Sequence, residues 1–158
     1  MEFFKSQKKK GYLNITDKRM TRFNITIDES IEFVIQSFYK MLGGEIFIPK
    51  LPSYKVTDLA SAIAPKTKLK FVGIRPGEKI HEEMLTSSDS FNAFEMKKSF
   101  VILPLSMNLL NWQVKDFLKK HKKDKPKKCK EYFSYNSFEN KDYLNIKSIQ
   151  KIIKKHLL

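Results

Sequence analysis

Between Thr26 and Gly73 the apolar residues change their spacing from helical to extended, back to helical and again to extended, with short connections. Thr26 and Glu29 form the S/T-x-x-E pattern of a capping box. Ile27, Ile31, Val34, Ile35, Phe38, Met41 and Leu42 follow at helical intervals. Gly43-Gly44 stops that helix, because glycine adopts the left-handed conformation common at a helix C-terminus. Glu45-Ile46-Phe47-Ile48 reads as a short buried strand ended by Pro49. Pro52 and Ser53 lead into a second helix, with Val56, Leu59, Ala60 and Ile63 on one face and Pro65 closing it. Lys68 to Gly73 alternates charged and apolar residues and reads as a second strand. Helix, strand, helix, strand in close succession is the signature of a layered α/β domain.

The flanks extend this pattern. Residues 1–12 are basic, with Phe3 and Phe4 as their strong apolar anchors. Ile15 opens a short extended piece, and Arg22 to Ile25 reads as another. Arg75-Pro76-Gly77-Glu78 is a turn, expected to start a helix over Glu78–Leu85. Residues 86–95 read as polar loop, and Ser99 to Leu103 as a strand. Residues 119–130 form a Lys-rich linker broken by Pro126. In the tail, Ile149, Ile152, Ile153 and Leu157 recur at helical positions. The expected division is a partial α/β domain over 1–104, a Lys-rich linker region over 105–130, and a C-terminal tail with a helix over 131–158 that packs on the domain.

Composition narrows the function classes. At 158 residues the chain has room for one domain, and 41% hydrophobic residues suffice for a core. One cysteine, Cys129, excludes an internal disulfide and fits a reducing compartment. The first residues lack the apolar stretch of a signal peptide, and no run approaches a membrane span, so a cytoplasmic chain without a membrane partner is expected. The net charge of +14 invites nucleic acid, but the basic residues are nearly all Lys. Arg, the residue suited to base-edge readout, stands only at Arg19, Arg22 and Arg75. The lysines gather at Lys8–Lys10, between Lys115 and Lys130, and at Lys151–Lys155, as solvated faces and a charged linker would have them. No nucleic-acid motif accompanies them, so no specific nucleic-acid partner is expected.

The glycines, at 11, 43, 44, 73 and 77, build neither the G-x-G-x-x-G of a dinucleotide cradle nor a P-loop. Short-chain dehydrogenase chemistry uses a Tyr-x-x-x-Lys pair, in which Lys lowers the tyrosine pKa. Tyr143 and Lys147 have that spacing, but in a Lys-rich tail it reads as coincidence. His81-Glu82 begins like H-E-x-x-H, yet Leu85 stands where the second ligand would be. Cys129 reads as an ordinary surface thiol. Two polar clusters remain, Asp17 to Phe23 and Gly73 to Lys79, and both contain Arg. A guanidinium fork suits phosphate or carboxylate, and Gly77 after Pro76 would hold Arg75 and Glu78 in a tight turn. These clusters admit two readings, anion binding or surface salt bridges beside a helix start.

At these clusters the chain resembles a known family. Ile15 to Phe23 (ITDKRMTRF), Gly44 to Ser53 (GEIFIPKLPS) and Gly73 to Glu82 (GIRPGEKIHE) are similar to the inverting UDP-N-acetylglucosamine 4,6-dehydratases. These are extended short-chain dehydrogenase/reductases of surface-sugar biosynthesis. Phe133 to Asn140 (FSYNSFEN) resembles their C-terminal segment. The resemblance covers the family's C-terminal part and is weakest near 105–130. Phe3-Phe4 matches the end of a Val-Pro-Phe-Phe-like loop, with Met1-Glu2 in place of its start. Asn24 stands where the family usually has Trp.

The resemblance implies a small mixed α/β substrate-binding part without the Rossmann half, which in the family holds NADP and the catalytic Tyr-x-x-x-Lys. Arg75 would then contact the substrate diphosphate and Glu78 the uridine ribose. Arg22 would help hold the nucleotide, Phe3 and Phe4 would line the substrate loop, and Asn140 would lie near the nucleotide. No catalytic residue, cofactor site or metal site is assigned to the chain itself. The expected partners are a UDP-sugar and a separately encoded Rossmann half, with self-association left open. The competing readings are a pseudo-enzyme or interaction module and a basic nucleic-acid binder.

Overall fold

The computed structural model of the chain describes residues 11–106 and 111–157. In chain order the elements are β1 (Tyr12–Ile15), β2 (Thr21–Phe23), α1 (Ile27–Lys40), β3 (Ile46–Pro49), β4 (Ser53–Lys55), α2 (Val56–Ile63) and β5 (Lys68–Phe71). There follow β6 (Glu83–Leu85), β7 (Ala93–Glu95), β8 (Ser99–Ile102), α3 (Val114–Lys120), β9 (Lys127–Lys128), β10 (Tyr135–Asn136) and α4 (Ile146–Leu157). The mixed α/β class expected from the alternating pattern is observed, built from small sheets. The chain divides into two units. The first takes the described residues up to Asn24, with Leu51–Glu82 and the chain from Asn136 onward. The second takes Ile25–Lys50 and Glu83–Tyr135.

In the first unit β1 and β5 pair in parallel, Leu13 opposite Leu69 and Ile15 opposite Phe71. Alternation along β1 buries Leu13 and Ile15 completely or nearly so and turns Tyr12 outward. Against them lie Leu59, Ala60 and Ala62 of α2 and Ile149 of α4, with Leu144 and Ile153 packed around. The small residues of α2 let the two helices approach closely. The helix ends where expected: the Ala64 N–H still donates to the Ala60 carbonyl, but Pro65 has no N–H to continue. β2 and β4 form a second, antiparallel pair with Arg22 opposite Tyr54.

The expected helix over Glu78–Leu85 is not formed. Its carbonyls are taken by other partners: Ile80 accepts from Thr21 N–H and Glu82 from Ser137 N–H. Without i to i+4 bonds the segment runs as a turn and an extended stretch into β6.

The second unit is a four-stranded antiparallel sheet in the order β3, β8, β7, β9. Residues 86–95, expected as polar loop, contain a 3-10 turn over Asp89–Asn92 and the strand β7, whose Ala93 and Phe94 are buried. The Lys-rich stretch expected as linker carries α3, a 3-10 turn over Lys122–Asp124 and the edge strand β9. Phe117 anchors it, wholly buried with Phe94, Met96, Val101, Leu103 and Trp112. Trp112 Nε1 donates to the Gly43 carbonyl at 3.0 Å, which pays the polar cost of burying the indole.

The capping box of α1 forms as the sequence indicates: Glu29 N–H donates to Thr26 Oγ1, and the Glu29 carboxylate accepts from Thr26 N–H. At the other end Lys120 Nζ donates to the Met41 carbonyl at 2.7 Å. Ser30, Phe33, Ser37 and Lys40 are its half-buried side, and Lys40 Nζ lies 3.0 Å from Asp124 Oδ2. The apolar stripe that the sequence shows faces solvent instead.

His121, 3% exposed, lies between the Phe117 and Phe47 rings, and its Nε2 has no hydrogen-bond partner among the described residues. Burial, then the Lys120 and Lys40 charges, hold its pKa below the ordinary value, with Asp124 and Glu45 acting the other way. The unfolded chain takes up this proton near its usual pKa of about 6.5, before the folded chain does. Stability from the neutral ring is therefore complete above that pH and is lost as pH falls through the folded value. Melting temperature measured from pH 8 to pH 5 should fall below about 6.5. His121→Phe should flatten that slope; an unchanged slope would remove His121 from the account.

Candidate functional site

The expected phosphate and ribose contacts belong to the first unit, and its chain path explains how they are held. After β1 the chain turns through Thr16, Asp17, Lys18 and Arg19; after β5 it leaves through Val72 and Gly73. Val72 N–H donates to Ile15 O and Gly73 N–H to Thr16 O, so the two exits stay side by side. Between them is an open hollow of ≈ 520 Å³ lined by Thr16, Asp17, Lys18, Arg19, Phe71 and Gly73. Parallel pairing of β1 and β5 puts both C-terminal ends at this hollow.

The Arg75–Glu78 turn is tied to the wall of the hollow. Glu78 N–H donates to Arg75 O at 3.0 Å, and Gly77 has φ +80°, which a type II turn requires at that position. The Glu78 carboxylate accepts from Thr16 Oγ1 at 3.3 Å and from Arg75 N–H at 3.4 Å. Arg75 is exposed, and among the described residues no ion pair or hydrogen bond engages its guanidinium. Asp17 accepts two bonds from the Arg19 side chain and one from its N–H, which hold its carboxyl at a pKa of about 2. That pair is mutually neutralised. Lys18, by contrast, has no carboxylate partner among the described residues.

Arg22 is used differently. Its Nη1 donates to Thr21 O at 2.7 Å and Ile80 O at 3.0 Å, and its Nη2 to Lys79 O at 3.1 Å. Its Nε lies 3.5 Å from Glu82. The guanidinium thus clamps the segment that follows the Arg75 turn. Glu82 also accepts from Phe23 N–H at 2.7 Å. Beneath the clamp, Thr21 Oγ1 lies 2.8 Å from His81 Nδ1 and 2.7 Å from Ser137 Oγ, and both Thr21 and Ser137 are buried. His81 stacks on Phe138 with ring centroids 4.6 Å apart, and burial, then Arg22 and Arg19, lower its pKa.

Asn140 holds the tail to the unit: its Nδ2 donates to Leu51 O, Ser53 Oγ and Asp142 O. Phe3 and Phe4 lie outside the described residues. Tyr143 of the Tyr-x-x-x-Lys spacing donates its hydroxyl to the Ser137 and Phe138 carbonyls, and burial raises its pKa. A proton-exchanging tyrosine needs the opposite shift. Cys129, half-buried in the second unit, has its thiol pushed up to about 11 by burial and Glu95, so it carries little thiolate at neutral pH. Thr16, Phe71 and Ser137 carry no individual signal in the sequence. Ser137 lies inside the family-like tail stretch and Thr16 inside the family-like stretch Ile15 to Phe23, but nothing in the sequence marks Phe71, which reaches the hollow through strand pairing.

A family model described as polysaccharide biosynthesis protein matches residues 1–104. An inverting UDP-N-acetylglucosamine 4,6-dehydratase of Campylobacter jejuni subsp. jejuni serotype O:23/36 is 45% identical over 141 residues, covering 89% of this chain and 42% of the relative. A protein of the same name from serotype O:2 is 43% identical, covering 96% and 45%. A UDP-glucose 4-epimerase of Rickettsia akari is 30% identical, covering 95% and 43%. Among solved structures, Pen from Bacillus thuringiensis superposes with a TM-score of 0.73 at 26% identity, over 98% of this chain and 44% of that one. The chain therefore spans less than half the length of these relatives.

Proposed function

The chain belongs to the polysaccharide biosynthesis protein family, and from that premise we propose that it is the substrate-holding part of a UDP-N-acetylglucosamine 4,6-dehydratase, inactive alone, that binds a UDP-sugar through its diphosphate. The observation carrying this reading is the Arg75 turn, fastened through Glu78 to the Thr16 wall of the hollow. Lys18 lines the hollow, and Arg75, which does not line it, stands on the turn tied to its wall; neither has a carboxylate partner among the described residues, and two such cations suit the two negative charges of a diphosphate. Phe71, 52% exposed at the hollow, supplies an apolar wall of the kind a sugar or base ring packs on.

The described residues do not fit a dinucleotide. Such a site needs a parallel strand running through a glycine-rich turn into a helix, whose N-terminus faces the pyrophosphate. Here β1 and β5 both run into loops, and β4 enters α2 directly with Lys55 at the cap. The chain's residues position a substrate, and the chemical step belongs to the family's Rossmann half. The setting is expected to be cytoplasmic; no helix among the described residues is long and apolar enough to cross a membrane.

Calorimetric titration with UDP-N-acetylglucosamine tests this reading. Saturable binding is expected, and Arg75→Ala should weaken it at least about tenfold, or about 1.4 kcal/mol. N-acetylglucosamine without the nucleotide should bind far more weakly. Absence of binding, by the chain alone and with a matching Rossmann half, would remove the substrate role. Turnover by this chain alone with NADP would overturn the assignment of the chemistry elsewhere.

A further inference from the structure

We propose that Thr21 is a positioning residue: its hydroxyl carries a directed hydrogen-bond chain that holds His81 neutral with the proton on Nε2, so that His81 presents an N–H to a carbonyl oxygen of the bound sugar nucleotide. The ligand half of this proposal rests on the substrate-holding reading above. All the residues of the chain belong to the first unit. It starts at a group with no choice of role: Glu82 N–H can only donate, and it donates to Ser137 Oγ at 2.9 Å. Ser137 is 0% exposed, and apart from that amide its hydroxyl meets only Thr21 Oγ1, at 2.7 Å, among the described residues. A buried hydroxyl proton left without an acceptor is destabilising, so Ser137 donates to Thr21. Thr21, 2% exposed, then has its own proton to place, and His81 Nδ1 lies 2.8 Å away. Tyr143 Oη is the competing acceptor near Thr21, but its own proton goes to the Ser137 and Phe138 carbonyls, and a phenol oxygen accepts more weakly than an imidazole nitrogen.

With Nδ1 accepting, a neutral ring carries its proton on Nε2. The surroundings keep the ring neutral: burial, then Arg22 and Arg19, disfavour an imidazolium, with Asp17 acting the other way. Nε2 has no hydrogen-bond partner among the described residues, yet it is not one of their buried unpartnered atoms, so it opens to the surface. The stack on Phe138 fixes the plane of the ring. His81 stands on the segment from Gly73 to Glu82 that also carries Arg75 and Glu78, and it is within electrostatic reach of Asp17 and Arg19 at the hollow. Lys18 and Arg75 suit phosphate charge; an uncharged N–H suits a neutral acceptor. UDP-N-acetylglucosamine offers such carbonyl oxygens at two places, the uracil ring and the acetamido group.

The chain has 3 histidines, which makes the first test direct. Proton–nitrogen correlation spectra of the ligand-free chain near pH 8 should show His81, identified by its loss in His81→Phe, as the Nε2–H tautomer. Thr21→Val should turn it into a mixture of both tautomers, and Thr21→Ser, which keeps the hydroxyl, should retain the single form. The second test is calorimetric titration. His81→Phe keeps a ring against Phe138 and should weaken UDP-N-acetylglucosamine at least about fivefold, the scale of one neutral hydrogen bond. His81→Gln, whose amide N–H reaches the Nε2 position, should stay within about twofold of the parent. The loss in His81→Phe should recur with UDP alone if the acceptor is a uracil carbonyl, and only with the N-acetylated sugar nucleotide if it is the acetamido group. An Nδ1–H tautomer in the parent overturns the proposal, as does a His81→Phe variant that binds as tightly as the parent. A parent that binds no UDP-sugar overturns the substrate reading and the ligand half together, while the spectra, taken without ligand, still decide the role of Thr21.

Discussion

Phe117→Ala should cost the second unit about 3–5 kcal/mol, the range for emptying a fully buried aromatic site. The ring is 0% exposed and sits against Phe94 at 5.5 Å and His121 at 4.6 Å between centroids. It is also the main hold on α3. That helix has seven residues, and its other apolar side chains, Val114 and Leu118, are each 38% exposed. A helix this short is not stable in water on its own account, so its order comes from tertiary contacts. Emptying the Phe117 site should therefore release α3, and with it the bond from Lys120 to the Met41 carbonyl that finishes α1. Each kcal/mol is worth about 4–8 °C in a unit of this size, so the melting temperature of this unit should drop by more than about 10 °C. Phe117→Leu should recover most of the loss. A drop of only a degree or two for the alanine variant would show that the Lys-rich stretch is not held as described.

The second large effect is expected at Arg22, where shape matters more than charge. Its guanidinium donates to three backbone carbonyls that a single ammonium cannot reach together. Arg22→Ala should cost about 2–3 kcal/mol, within the net range of about 1.5–3 kcal/mol for a hydrogen bond to a charged group, since water can replace part of the guanidinium at this half-buried site. Arg22→Lys should lose most of the same amount, although it keeps the ion partner of Glu82. The Glu82 contact adds little, because the carboxylate is 44% exposed. Hydrogen exchange should quicken at the Thr21 amide, whose acceptor Ile80 O is held by the clamp. UDP-sugar affinity should fall in both variants, because the segment being released continues from the Arg75 turn. If Arg22→Lys is as stable as the parent, charge rather than the fork holds this segment.

The contrast between Arg22 and Arg75 shows what the residues alone could convey. Both stood out as arginines in a lysine chain, and the family resemblance gave both a nucleotide contact. Their sequence environments do not say which guanidinium meets backbone and which meets solvent. That depends on β2 lying beside residues 79–82, a pairing between segments about sixty positions apart. The same limit explains the helix expected over Glu78–Leu85: its composition permits helix, but Thr21 and Ser137 claim its carbonyls. Local signals fared better. The capping box at Thr26, the Pro65 stop and the Gly77 turn each act within a few residues, and each appears as expected. The periodicity of α1 was plain, but its direction was not, since an amphipathic pattern does not reveal what covers its apolar side. In the Lys-rich stretch the abundance of charge hid the one phenylalanine that organises it.

The chain crosses between the two units four times, after Asn24, Lys50, Glu82 and Tyr135. The β1 strand finds part of its packing only when Ile149, far later in the chain, has been made. Until then the nascent first unit has an unfinished interior, and a stop codon between β1 and α4 would leave it so. Such an interleaved path also means that no single cut in the gene can separate one unit from the other.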